Sequence, residues 1–223
     1  MKKRVLFICA SMKVGGAEKS LINILNMVDY KKYDMSLLLF QKQGEFLEQI
    51  PDEVKIVTRP LNLKTLYDNT SSFSLNKILM LAIKYLSTLY ETIKWKEYDV
   101  VHAHRWKDFY SKICEPIEEQ FDVVVGFQSG EPTYYAFEKI KAKRYVTYYH
   151  TDIKNIALDK KIESYYLEKA DMIVSISDKC VNSLQEFFPE FKNKIVCMEN
   201  ISSCKLVNQL AGQCTPKEYV EYG

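Results

Sequence analysis

The chain alternates short apolar runs with longer segments in which apolar residues recur every three or four positions. A short apolar run bounded by turn residues is typical of a strand that is buried on both faces of a sheet. The runs predict strands at residues 4–10, 35–40, 54–57, 100–103, 123–127, 145–149, 172–176 and 195–198. The segments between them have the periodicity of amphipathic helices, and these are predicted at 17–27, 45–49, 75–94, 107–119, 134–139, 160–169 and 178–187.

This alternation predicts an α/β fold with a doubly wound, mainly parallel, Rossmann-like sheet. Repeated strand–helix–strand units produce parallel strands that are joined by right-handed crossovers. In such a sheet, ligands bind in the crevice at the carboxyl ends of the strands. Residues that directly follow the predicted strands are therefore the first candidates for a site. The segment 62–74, rich in Asn, Asp, Thr and Ser, predicts a loop.

The composition fits one large folded domain and narrows the range of functions. With 223 residues and 47% apolar side chains, the chain can bury a sizeable core. Residues 1–199 are expected to form the domain, and 200–223 a linker with a truncated end. A net charge of +2 gives no electrostatic reason to expect a nucleic-acid partner. The cysteines form no C-x-x-C pair and no signal-peptide pattern is visible, which together favour a reducing, cytoplasmic setting.

Two glycines, Gly15 and Gly16, stand between the first predicted strand and the first predicted helix. Glycines at such a turn let the backbone approach a ligand closely, and the helix N-terminus offers unpaired N–H groups to an anion. The pair therefore predicts a phosphate-binding turn, with an ordinary strand-to-helix turn as the alternative. A dinucleotide fingerprint is disfavoured, because Glu18-Lys19-Ser20 supplies no third glycine.

Five short stretches mark strand ends or the turns that follow them. They are Gly15-Gly16-Ala17-Glu18, Tyr98-Asp99-Val100-Val101-His102-Ala103-His104, Phe127-Gln128-Ser129-Gly130-Glu131, Tyr148-Tyr149-His150-Thr151-Asp152 and Ile173-Val174-Ser175-Ile176-Ser177-Asp178. In this order, and spread over nearly the whole chain, they resemble the N-terminal domain of the family 4 glycosyltransferases, which have the GT-B fold.

The resemblance implies a retaining, nucleotide-sugar-dependent transferase of cell-surface polysaccharide or glycolipid synthesis that needs no metal or other cofactor. In such enzymes the N-terminal domain binds a sugar or lipid-linked acceptor, and a C-terminal domain binds most of the nucleotide-sugar donor. The chain is therefore expected to be an acceptor-binding half that is inactive without a donor domain. Two alternatives stay open: a non-catalytic glycan-binding or regulatory remnant that needs a separate donor-domain partner, and a nucleotide-binding oxidoreductase.

The resemblance and the positions after strands together give the candidate site residues. His150 is the candidate catalytic residue, expected to position the substrate and to donate to a sugar hydroxyl or to the leaving phosphate. The alternative for His150 is a hydrogen bond to a loop carbonyl, and the carboxylate of Asp152 is expected to fix its tautomer. The candidate substrate-binding residues are Gly15, Gly16, Ser129, Gly130, Glu131 and Asp152.

A cluster of His102, His104 and Arg105 is predicted at the end of the strand 100–103. No third histidine lies close to it in sequence, so no metal site is predicted. Arg105 is a further candidate for contact with an acceptor phosphate or with a membrane surface.

The predicted helix 75–94 is apolar over much of its surface, but its charged residues exclude a membrane span. It is expected either to pack on the sheet or to lie at an interface with its basic edges toward lipid headgroups. The second alternative would give a cytoplasmic protein a peripheral contact with the inner face of the membrane.

Overall fold

The computed structural model describes residues 1–68, 75–202, 204 and 208. Within these residues, a single sheet contains the strands β1 Lys3–Cys9, β2 Tyr33–Leu39, β3 Lys55–Ile56, β4 Ile117–Gly126, β5 Ile140–Tyr149, β6 Met172–Ser175 and β7 Ile195–Cys197. Neighbouring strands all run parallel, in the order β3-β2-β1-β4-β5-β6-β7. The predicted Rossmann-like α/β fold is confirmed.

Helical segments connect successive strands. Over the described part of the chain the α-helices are α1 Gly16–Met27, α2 Leu61–Tyr67, α3 Leu75–Lys94, α4 Tyr98–Arg105, α5 Ser111–Ile113, α6 Glu131–Lys139, α7 Lys160–Lys169 and α8 Asp178–Phe187. A π-helical turn, Trp106–Tyr110, continues α4 into α5. Short 3₁₀ helices occupy Glu45–Gln49, Ile153–Asn155 and Pro189–Lys194.

Alternate residues of β1 pack on opposite faces of the sheet, because successive side chains of a strand point in opposite directions. Leu6 and Ile8 belong to a buried cluster that also contains residues of α6 and α7. Phe7 and Cys9 belong to a second cluster, which includes Leu21 of α1. The sheet is thus covered on both faces, which explains why its central strand reads as an uninterrupted apolar run.

Two predictions in the middle of the chain are wrong. Residues 100–103, predicted as a strand, lie inside α4, where Val101 and Ala103 are buried. The predicted helix 107–119 stops at Ile113, and its last residues begin β4. A short apolar run is compatible with either a strand or a buried helix. Because β1 pairs directly with β4, no position between them remains for a strand at 100–103.

The predicted loop at 62–74 is also wrong at its beginning, where α2 follows Pro60. Proline is well tolerated next to the first turn of a helix, and Leu63 and Leu66 anchor this helix in the core. Residues 69–74 of the predicted loop lie outside the described residues. Most of the predicted linker 200–223 also lies outside them, so the domain boundary stays a prediction.

The strand order reverses direction between β1 and β4, since β1 pairs with β2 on one side and with β4 on the other. Crossovers lead away from this point in both directions, which leaves a crevice above the carboxyl ends of the two strands. Gly126 ends β4, and a Cβ atom at this position would lie 2.6 Å from the Cα of Thr133 in α6. The missing side chain therefore allows α6 to approach the strand closely.

Helix α3 packs mainly against α2 and α4, and its buried residues are Met80, Ser87 and Glu91. Large apolar side chains on its outer side are exposed, namely Leu75, Ile78, Leu79, Tyr85, Leu86, Leu89, Tyr90 and Ile93. The outer side of α3 is therefore left uncovered by the described residues, and the interfacial alternative stays a prediction. None of the helices in the described ranges is long and apolar enough to cross a membrane.

Candidate functional site

A cleft of about 670 Å³ opens at the carboxyl ends of β1, β4 and β5. Its wall is formed by the turns that follow these strands together with side chains of α2, α3, α4 and α7. The cleft lies at the point where the strand order reverses, which is where a doubly wound sheet binds its ligands. The polar residues that line it include Tyr67, His102, Arg105, Glu131 and His150.

The turn after β4 requires a glycine at Gly130, whose φ of 82° lies in the left-handed region that favours this residue. This backbone conformation reverses the chain from β4 into α6, which begins at Glu131. Ser129, Gly130 and Glu131 all line the cleft. The structure thus brings these three candidates together, and their contact with a substrate stays a prediction.

Glu131 is the centre of a buried ion-pair network. Its carboxylate accepts hydrogen bonds from Nη2 of Arg105 at 2.7 Å and from the hydroxyl of Tyr67 at 2.5 Å. Burial alone would raise the pKa of Glu131, but its contacts with His102, Arg105 and Tyr67 outweigh burial and lower that pKa to about 2. Glu131 is therefore an anion at neutral pH, and it holds Arg105 in the cleft wall.

Arg105 is held from several sides. Its Nη1 donates to Oγ1 of Thr88 at 3.0 Å, and its guanidinium lies 4.7 Å from the ring centre of Tyr110. Its Nη2 also lies 2.8 Å from Nδ1 of His102. A guanidinium can only donate, so in this contact Nδ1 of His102 accepts, and a neutral ring then carries its proton on Nε2. Nδ1 also lies 3.5 Å from Oε1 of Glu131, to which it donates only in a doubly protonated ring. The described hydrogen bonds leave this Nε2 donor, at the cleft wall, to a ligand.

His150 lies at the end of β5 with its ring against Phe127. Its Nε2 is 2.8 Å from the main-chain oxygen of Phe127. Because a carbonyl oxygen only accepts, Nε2 carries the proton and Nδ1 has the free lone pair. Burial lowers the pKa of His150, although the Phe127 carbonyl partly opposes this. Its Nδ1 atom is buried and has no hydrogen-bond partner among the described residues.

Asp152 is not the group that orients His150, which is a correction to the sequence interpretation. Its carboxylate accepts from the backbone N–H of Lys154 at 3.1 Å and caps the 3₁₀ helix Ile153–Asn155. This hydrogen bond, with a further one from Ser183, lowers the pKa of Asp152. Asp152 lies in a separate shallow pocket beside α8. The Phe127 carbonyl therefore fixes the His150 tautomer, in agreement with the alternative that the sequence left open for this histidine.

Gly15 and Gly16 flank the cleft without lining it, whereas the adjacent Ala17 does line it. Gly15 is extended, with φ −165° and ψ 161°, a conformation open to any residue. The carboxylate of Glu18 folds back over Gly15 and accepts from Nε2 of Gln128 at 2.7 Å. A Cβ on Gly16 would meet no atom within 4 Å. The N-terminus of α1 is therefore open beside Gly16, while Glu18 partly occupies the side of Gly15.

A second buried carboxylate, Glu163 of α7, also lines the cleft. The hydroxyls of Tyr134 and Tyr149 both donate to it, the latter at 2.6 Å. Burial raises the pKa of Glu163. The tyrosine hydroxyls thus satisfy an acid that would otherwise be costly to bury.

Sequence reasoning missed Tyr67 and Glu163 as parts of the cleft. The signal for Tyr67 was the spacing of Leu63 and Leu66 after Pro60, which is a short helical pattern in a segment interpreted as a loop. Glu163 lies in a correctly predicted helix, but its burial depends on tyrosines from two other elements. No local pattern carries that information.

Comparisons with known proteins show likeness in fold. No protein-family model matches the chain, and no curated protein matches it. A solved glycosyltransferase structure from Rickettsia africae is similar over 99% of this chain and 48% of its own, with 15% identity and a TM-score of 0.52. Two solved structures of HepE from Anabaena also match.

The HepE structure with UDP and glucose has 14% identity and a TM-score of 0.45 over 95% of this chain and 50% of its own. The HepE structure with UDP-glucose has 15% identity and a TM-score of 0.43, and the match covers 95% of this chain and 49% of the HepE chain. The chain thus spans about half the length of the structures that it matches. At identities this low, the likeness shows the Rossmann-like fold.

Proposed function

We propose that the chain is the acceptor-binding half of a retaining glycosyltransferase that uses a nucleotide sugar. Its place would be cell-surface polysaccharide or glycolipid synthesis, on the cytoplasmic side of the membrane. The glycosyltransferase from Rickettsia africae, which shares the fold over about half its length, supports this proposal. So does the order of the sequence stretches that resemble family 4 enzymes, four of which lie at strand ends or in the turns after them, whereas residues 98–104 lie in α4.

The observation that carries the proposal is the buried, unpartnered Nδ1 of His150, a residue that lines the cleft. A buried acceptor without a partner is costly, and a ligand hydroxyl that donates to it removes that cost. Nε2–H of His102, which lines the same cleft, offers a complementary donor. A donor and an acceptor in one cleft suit a polyhydroxylated ligand such as a sugar.

The acceptor role of Nδ1 changes the chemistry expected of His150. A ring that keeps its Nε2 proton on the Phe127 carbonyl receives a hydrogen bond from a sugar hydroxyl through Nδ1. It donates from Nδ1 only after a second protonation, which burial disfavours by lowering its pKa. His150 is therefore proposed to orient an acceptor hydroxyl for attack on the donor sugar.

The donor is proposed to be held mainly by a second domain, with its phosphates reaching the open N-terminus of α1 beside Gly16. No metal ion is proposed for the transfer itself. Asp99, an exposed acid of α4, also lines the cleft. The two buried acidic groups are already engaged, since Glu131 pairs with Arg105 and Glu163 accepts from Tyr149. Neither carboxylate is free to bind a cation at the phosphates.

A peripheral membrane contact is proposed for the exposed apolar side of α3. The inner side of the same helix forms part of the cleft wall, because Lys84 lines the cleft. Exposed apolar side chains beside lysines are the combination that binds the interface of an anionic bilayer. A lipid-linked acceptor could then enter the cleft from the membrane surface.

The test is saturation-transfer NMR of the chain with a panel of methyl glycosides, with NAD as a control ligand. Saturation transfer to at least one glycoside is expected, and it should disappear in His150→Ala. The matched control is Lys143→Ala, because Lys143 is exposed and lies at the opposite end of the strands. Equal signals in both variants, or binding of NAD in preference to every sugar, would overturn the proposal.

A further inference from the structure

Three side chains outside the cleft come together between α3 and the end of α4. One ligand atom each from Glu91, His104 and Asp108 lies within 4.8 Å of the other two. His104 and Asp108 are four positions apart on one continuous helical segment, so they share a face. Glu91 approaches from α3, which packs against α4. None of the three lines the cleft.

The Glu91 carboxylate is the feature that needs an explanation. Its exposed fraction is 0%, and neither of its oxygens has a hydrogen-bond partner among the described residues. A buried carboxylate without partners is among the costliest arrangements in a protein interior, and such groups are normally paired or bound to a metal. The structure places His104 and Asp108 beside this unsatisfied group.

His104 is already oriented as a metal-binding histidine would be. Its Nε2 lies 2.8 Å from Oδ2 of Asp159, and its ring stacks on Trp95 with 4.3 Å between the ring centres. A histidine that binds a metal through one nitrogen usually donates the other N–H to a carboxylate, which fixes the ring and its tautomer. Asp159 fills that supporting position and leaves Nδ1 available as a ligand.

We propose that Glu91, His104 and Asp108 bind one divalent transition-metal ion, with Zn²⁺ as the best-fitting ion. Two carboxylates and an imidazole suit Zn²⁺, whereas Mg²⁺ and Ca²⁺ prefer sites made of oxygen ligands alone. Tetrahedral zinc ligands lie about 3.4 Å from one another, so the three side chains need to close by roughly an ångström. Water would complete the coordination.

The ion would join α3 to α4, and α4 also carries the cleft residues His102 and Arg105. The wide π-helical turn that presents Asp108 is of a rare type that often occurs at functional sites. The metal would therefore stabilise one wall of the cleft from behind. This inference does not depend on the proposed transferase function, because none of its ligands is expected to touch a substrate.

The experiment is a calorimetric titration of the full chain with Zn²⁺ after treatment with EDTA, with Mg²⁺ as the comparison ion. Saturable binding of about one Zn²⁺ per chain is expected. Asp108→Asn should weaken Zn²⁺ binding by about tenfold or more. Changes at residues that only support the metal ligands already reduce metal affinity by about that much. Asp108 is partly exposed, so this variant should fold normally. The matched control is Glu97→Gln, an exposed acid at the start of α4.

A second variant, Glu91→Leu, gives an independent readout in thermal melts. It should abolish the Zn²⁺-induced rise in Tm and, without metal, should melt at or above the temperature of the original chain. The reason is that an apolar side chain replaces a buried carboxyl group whose oxygens have no hydrogen-bond partner among the described residues. Absence of saturable Zn²⁺ binding would overturn the proposal. So would Zn²⁺ binding that Asp108→Asn and Glu91→Leu leave unchanged, which would indicate that the cysteine thiols bind the metal.

Discussion

The Nε2 proton of His150 is donated to the main-chain oxygen of Phe127 across 2.8 Å. This contact joins the turn after β5 to the turn after β4, and it determines that Nδ1 is the nitrogen left for a ligand. The ring is buried where it makes this contact, so its pKa is lower in the folded chain than in the unfolded chain. The first prediction follows from that difference.

His150 should make the free energy of unfolding depend on pH. Burial lowers its pKa in the folded chain, so below about pH 6.5 the unfolded chain binds the proton more readily. The free energy of unfolding should therefore fall as the pH drops from 6.5, the ordinary value, toward the lower folded value. Urea unfolding between about pH 7 and pH 5 should show a smaller fall for His150→Gln. Identical profiles for both chains would contradict the prediction.

Glu131→Gln should destabilise the fold strongly, because it leaves the buried guanidinium of Arg105 without its counter-charge. Removal of one partner from a buried ion pair costs about 3–5 kcal/mol. The control is Glu186→Gln, which breaks an exposed pair with Lys154 and should cost less than about 1 kcal/mol. Urea unfolding at neutral pH measures both. Costs of similar size would show that the Glu131 pair is solvated rather than buried.

The stability that Glu131 provides should also disappear in acid. Its pKa is lowered from 4.5 to about 2 on folding, so its contribution is complete above pH 4.5 and is lost as the pH falls toward 2. Acid titration of the folded chain followed by circular dichroism should therefore show a transition that Glu131→Gln lacks. A carboxyl ¹³C resonance of Glu131 that titrates near pH 4.5 would contradict this assignment.

Two glycine substitutions should have opposite effects on stability. Gly126→Ala should cost about 1–3 kcal/mol, because the new Cβ would overlap the backbone of α6 at Thr133. Gly16→Ala meets open space and should stabilise α1 by up to about 1 kcal/mol, since alanine is the better helix former. Thermal melts of the two variants give the comparison. Destabilisation by Gly16→Ala would show that this turn needs glycine for its own conformation.

The exposed apolar side of α3 should bind anionic vesicles. Leu89→Glu places a charge on this face, where the leucine is 59% exposed, and it should reduce co-sedimentation with phosphatidylglycerol vesicles several-fold. Met27→Glu changes a similarly exposed apolar residue on α1 and should have no effect. Equal loss in both variants would indicate general hydrophobic adsorption instead of a defined surface.

The local pattern of apolar and polar residues was sufficient to predict elements that are buried in the same way along their whole length. β1 is buried on both faces and reads as an apolar run, and Gly130 supplies the positive φ that its turn requires. The position of His150 followed from the end of β5 alone. These features depend on neighbours in the sequence, which is why the amino-acid pattern alone was enough to locate the crevice.

The contacts that define the cleft join residues that are far apart in the sequence, so local pattern does not predict them. Arg105 and Glu131 are 26 positions apart, and Arg105 was assigned to a strand end because Val100 and Val101 form an apolar run. In α4 the same run instead packs one helical face against the core. Likewise, the proximity of Glu91 to His104 depends on how α3 packs on α4, and helical periodicity does not specify which helix meets which.

The register that pairs Val5 with Val123 has a consequence for synthesis of the protein on the ribosome. The central pair of strands cannot form until β4 has been translated, which is after more than half of the chain. Until then, β1 and β2 leave an apolar edge unpaired on the nascent chain, and unpaired strand edges recruit other chains. Chains whose synthesis stops before Gly126 should therefore aggregate. Pairing of β1 with β4 is the step that covers this edge and prevents its association with other chains.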